Sequence, residues 1–193
     1  MGVRTLLLLA TLATSLGPIE ARGQDPAVVY IGGAAVAAVV PEILFDLSQP
    51  DADQAFFKAS SGHFDAVDDE NEAIDLLVEY QPGLTWYRIK PLFGLAGNSD
   101  GTIYGWISAA HDVHLGDRLV INVNSGPALY VAGEGAKDLG SAGLLRSGVE
   151  IGYRFDDDAR LTASFHHMSH GKVLNPFNPG AETLAIGLTW PLN

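Results

Sequence analysis

The stretch RLTASFHHMSHGKVLNPFNPGAETLAIGLTW, residues 160–190, decides how this chain is read. Its first part alternates. Leu161, Ala163, Phe165, His167 and Ser169 fall on one side of an extended chain, and Thr162, Ser164, His166, Met168 and His170 on the other. A loop rich in Asn, Pro and Gly follows, and a second alternating run begins with Glu182, Leu184, Ile186, Leu188 and Trp190 on one side. Period two marks a strand, and Asn-Pro-Gly marks a turn. The pair therefore reads as an antiparallel hairpin, with strands at about 160–170 and 181–191.

Working outward, the same pattern recurs back to about residue 55. AFFKASSGHFDAV (55–67) is its weakest instance, and AIDLLVEY (73–80) ends at the turn QPG. LTWYRIKPLFGLA (84–96) carries Pro91, which removes a ladder donor and predicts a bulge or strand end there. TIYGWISAAHDV (102–113), RLVINVNSGPALYV (118–131) and LRSGVEIGYRF (145–155) complete the set. Eight strands with short connections and no helical period predict an all-β, antiparallel up-and-down meander that closes on itself.

One face of these strands carries Val, Ile, Leu, Tyr and Phe; the other carries Arg88, Lys90, Asn122, Asn124, Glu150 and Arg154. Alternation alone does not say which face is inside. A soluble barrel buries its apolar face, whereas an outer-membrane barrel inverts this, with a polar interior and strands of ~10 residues. The N-terminus favours the second arrangement. Arg4, an apolar run from Leu6 to Leu16 and the small residues Ala21 and Gly23 at the cleavage-specificity positions read as a signal peptide over 1–23. Residues 24–54, including the apolar AVVYIGGAAVAAVVP, stay unassigned, and 55–193 form the barrel domain. Trp86, Tyr104, Trp106, Tyr130, Tyr153 and Trp190 are candidates for interfacial aromatic girdles.

Composition narrows the function. A formal charge of −12 argues against a nucleic-acid partner. With no cysteine in the chain there are no disulfides or thiolate metal sites. His63, His111, His114 and His166 are scattered, so no metal or other cofactor is expected. The remaining histidines are different. In the hairpin His167, Ser169 and Glu182 share the end of one apolar face. A serine is a weak nucleophile until an adjacent base takes its proton, and a carboxylate can orient that base. The plain alternative is that these polar groups only terminate a lipid-facing stripe.

HMSHG, NPGAE and the following L-x-x-G-L-x-W resemble the C-terminal signature of the lipid A 3-O-deacylase family, PagL type, and GVEIGYRF (148–155) is similar to an earlier strand of it. The resemblance implies an eight-stranded outer-membrane barrel with its site on the lipid-facing exterior. It implies Ser169 as nucleophile, His167 as base and Glu182 as acid, with lipid A or lipopolysaccharide as substrate and a 3-hydroxy fatty acid as product. Three departures stand out. His170 follows the serine where the family usually has an Asn that helps build the oxyanion hole, so its imidazole or backbone N–H groups near Gly171 would have to donate. VLNPF adds a second Asn-Pro, and the chain ends TWPLN rather than on an aromatic residue. Two other functions remain open at this point. One is an outer-membrane phospholipase, whose family also carries H-x-S on a barrel exterior but with an Asn as third member and a larger barrel. The other is a barrel with no enzymatic role. Nothing in the sequence speaks to oligomeric state.

Overall fold

The computed structural model describes residues 54–67, 71–86, 88–174 and 176–192. The expected signal peptide and most of the unassigned segment after it lie outside these residues. Eight strands follow in chain order: β1 (Ala55–Phe64), β2 (Ala73–Gln81), β3 (Lys90–Asn98), β4 (Ile103–Leu115), β5 (Leu119–Val131), β6 (Gly143–Arg154), β7 (Arg160–Ser169) and β8 (Ala181–Leu192). Each pairs antiparallel with the next, and β1 pairs with β8, so the sheet closes as an up-and-down barrel without an edge.

The strand pattern decides which way the barrel faces. Along β2, Ile74, Leu76, Val78 and Tyr80 are exposed while Ala73, Asp75, Leu77, Glu79 and Gln81 are buried. The same inversion holds on β8, where Leu184, Ile186, Leu188 and Trp190 point out. A continuous belt of large apolar side chains on the outside, over a charged inside, suits hydrocarbon rather than water.

Eight strands leave an interior just wide enough for side chains. That interior has two storeys. Near the β2–β3, β4–β5 and β6–β7 turns it is ionic. Lys58 reaches both Glu79 and Glu150, the latter at 2.6 Å. Asp112 gathers Asn122 at 2.7 Å, Arg160 at 3.3 Å and Lys90 at 3.7 Å. Buried charges persist only when paired in this way. Toward the opposite end the interior is aromatic: Phe64, Tyr104 and Tyr130 meet with centroids 6.3 Å apart. Arg146 lies 3.9 Å over the Trp106 ring at the boundary.

Three expectations change here. Tyr104, Trp106 and Tyr130 are not girdle residues; they are 1–4% exposed and fill the barrel. Tyr104 donates to Asp75 at 2.5 Å and Tyr130 to the Lys137 carbonyl at 2.9 Å, so their polar tips are satisfied inside. Trp86, Tyr153 and Trp190 do face outward. The third strand begins at Lys90 rather than 84, because Arg88 turns the chain with φ 66° and Trp86 bridges Ile89. Arg88 therefore belongs to a turn and not to the interior face. Pro91 falls at the start of β3, paired to Ala109 on β4 but before the β2 ladder begins at Phe93. There its missing N–H is tolerated.

Candidate active site on the lipid-facing exterior

The end of β7 and the start of β8 lie at the aromatic end of the barrel, where the two longest connections, 132–142 and 170–180, emerge. His167 and Glu182 are direct cross-strand partners. Their parity is outward, shared with Leu161, Ala163, Leu184 and Ile186. The imidazole Nδ1 and Glu182 Oε1 are 2.7 Å apart. An ionised carboxylate only accepts, so Nδ1 carries the proton and Nε2 becomes the basic nitrogen. Ser169 follows two residues later on the same face, half-buried at the last position of β7. His167, Ser169 and Glu182 thus share one face of the sheet, and a direct hydrogen bond joins the first and the last.

Despite its outward parity the dyad is screened. Glu182 is 1% and His167 6% exposed. The cover comes from the returning loop. Gly180 adopts φ 72°, and a Cβ there would stand 2.8 Å from His167 Cε1. Only glycine allows the backbone to rest on the ring in that conformation. On the other side the Ala66 N–H donates to the Glu182 carbonyl at 3.1 Å, tying the dyad to the first strand's exit.

His170 is buried, and its ring is engaged. Nε2 is 3.1 Å from the Phe177 carbonyl, and its backbone N–H donates to Asn178 Oδ1 at 3.0 Å. A carbonyl accepts, so Nε2 carries the proton in the neutral ring. Gly140 of the β5–β6 loop comes in beside it, where a Cβ would meet the Phe177 oxygen at 2.3 Å and His170 Nε2 at 3.1 Å. The side chain therefore pins the 170–180 loop at both of its ends and against a neighbouring loop. Gly171 (φ 58°) and Lys172 (φ 61°) make a tight turn, closed by the Val173 N–H to the His170 carbonyl at 3.0 Å. His166, by contrast, faces the interior, 2% exposed and lying against its cross-strand partner Gly148.

Sequence reasoning missed the loop contacts that hold this end together. Lys137 pairs with the buried Asp65, and Leu139 inserts into the aromatic cluster. A Gly-rich loop gives no local sign of such anchoring. Asn178, in the Asn-Pro-Gly turn, also accepts the backbone N–H of His170.

A closed eight-stranded barrel with an apolar exterior and a charged interior defines a class, the outer-membrane β-barrels, and this one carries a histidine–glutamate pair and a serine on its outer face. The comparisons agree on fold and family. A crystal structure of the outer membrane enzyme PagL is similar with TM-score 0.54 at 16% identity, covering 71% of this chain and 99% of that one. A de novo designed transmembrane β-barrel gives TM-score 0.54 at 12% identity, covering 75% and 98%. No curated protein matches in sequence. The family model for lipid A 3-O-deacylase (PagL) matches residues 75–191, more than half of the chain. The chain belongs to the lipid A 3-O-deacylase family and is an eight-stranded outer-membrane β-barrel.

Proposed function

We propose that this protein is a serine esterase that removes the 3-O-linked acyl chain from lipid A. The observation that carries the reading is the buried His167–Glu182 hydrogen bond on the face that meets lipid. Ser169 Oγ attacks the ester carbonyl while His167 Nε2 takes its proton. Glu182 holds the ring in the productive tautomer and stabilises the imidazolium that forms. His167 then gives that proton to the departing sugar oxygen, which leaves as a hydroxyl as the ester C–O bond breaks, and the acyl group stays on Ser169. Water, deprotonated by His167, releases the fatty acid and restores the serine.

The oxyanion needs donors. His170 Nε2 is spent on Phe177 and its backbone N–H on Asn178, so His170 acts by shaping the loop. The Gly171 N–H, in the turn that directly follows the serine, is the backbone donor of this proposal. A substrate that is itself a membrane lipid explains why the chemistry lies outside the barrel rather than within it. Short turns face the periplasm in such barrels and longer loops the exterior, so the two long loops beside the site, 132–142 and 170–180, support a position at the outer leaflet.

The test is mass spectrometry of lipid A from cells with and without the protein. Loss of one hydroxyacyl chain is expected, and its absence in a Ser169→Ala strain. Release of fatty acid from phosphatidylethanolamine alone would point to a phospholipase, and unchanged lipids to a barrel without this activity.

A further inference from the structure

On the two strands next to the dyad, the lipid-facing belt is interrupted. Ser147 on β6 is the direct cross-strand partner of His167, and Ser125 on β5 is the partner of Ser147. Both have outward parity, and their hydroxyls lie 2.8 Å apart. The outward residues on either side are apolar: Val123 and Pro127 flank Ser125, and Leu145 and Val149 flank Ser147. One level of the barrel exterior therefore runs Glu182, His167, Ser147, Ser125 across four consecutive strands, polar throughout.

Hydroxyls facing hydrocarbon are costly unless bonded, and an apolar pair would pack there at least as well. The serines satisfy each other only in part. Two hydroxyls bring two protons, and the bond between them uses one, leaving one donor and several lone pairs. A group that both donates and accepts matches that remainder, and a hydroxyl is the simplest such group. Its place is set by strand spacing. Ser147 lies about 4.8 Å from His167 across the sheet and Ser125 about twice that. Ser147 is also the diagonal neighbour of Ser169 on the same face, within reach of a ligand bound at the nucleophile.

Resting on the deacylase reading, we infer that Ser147 and Ser125 form a subsite for a hydroxyl on the acyl chain being removed, close to its ester carbonyl. With the carbonyl at Ser169, a chain running from β7 across β6 toward β5 carries a hydroxyl at its third carbon past Ser147. The apolar tail then continues along the belt. The pair is specificity-determining: it selects chains hydroxylated next to the ester over plain chains of equal length.

The experiment compares two glucosamine esters that differ only in that hydroxyl, assayed with the full-length protein in detergent micelles. The parent should prefer the hydroxylated chain by roughly three- to tenfold in kcat/KM, the size of one hydrogen bond. Ser125→Ala combined with Ser147→Ala should bring the ratio close to one, and Ser147→Thr should retain the preference. Heat-modifiable migration on gels confirms that each variant is a folded barrel. A parent that does not discriminate overturns the subsite. So does a double variant that slows both substrates equally and leaves the ratio intact, because the pair would then only support His167. Failure of the parent to cleave either ester overturns the deacylase reading itself, and the subsite with it.

Discussion

His166 and His167 are neighbours in sequence and lie on opposite sides of one sheet. His166 points into the barrel, against Gly148 and below the Arg146–Trp106 stack. His167 points out, bonded to a carboxylate, beside a serine and under a glycine of the returning loop. The residue type is the same, and so are the strand and the backbone conformation. Only the pleat separates a packing residue in a charged interior from the residue that serves as base on the proposed mechanism. Chemistry here is assigned by which face a position occupies and by what the adjacent strand places opposite it.

Substitutions can break this contrast. Removing the nucleophile or base, with Ser169→Ala or His167→Ala, should lower deacylation by at least ~10⁴-fold while the barrel still folds, because members of such a unit fail together. Glu182→Gln keeps the shape but removes the charge; a fall of roughly 10²–10⁴ with measurable residual activity is expected. Gly180→Ala should cost about tenfold or more, since its Cβ would displace the His167 ring and the positive φ disfavours any side chain. His170→Ala should cost about tenfold through a loosened loop, and proteolysis within 170–180 should quicken in parallel. The smallest effect, within a few-fold, belongs to His166→Ala. Equal losses at His166 and His167 would falsify the division between the two faces.

Much of this was legible in the sequence, for definite reasons. Strict alternation in β2, β6, β7 and β8 shows which side chains share a face, so only a hairpin was needed to bring His167, Ser169 and Glu182 to one edge of one face. β4 was harder. Tyr104 and Trp106 alternate with Ile103, Gly105 and Ile107, a pattern in which both faces look apolar. Aromatic residues serve equally as membrane anchors and as barrel filling, and only the closed fold with its Asp75 partner decides between them. The start of β3 depended on a positive φ at Arg88, which no local pattern announced. Leu139, Lys137 and Gly140 act through contacts tens of residues distant, invisible to any window along the chain.

The Ala66–Glu182 hydrogen bond has a further consequence. It crosses the seam where the first strand meets the last, and Glu182 lies on the strand that makes that seam. Pairing with β7 holds Glu182 from one side, and the Ala66 bond holds its backbone from the other. The strand that carries the proposed acid is therefore gripped by both of its neighbours only in the closed barrel.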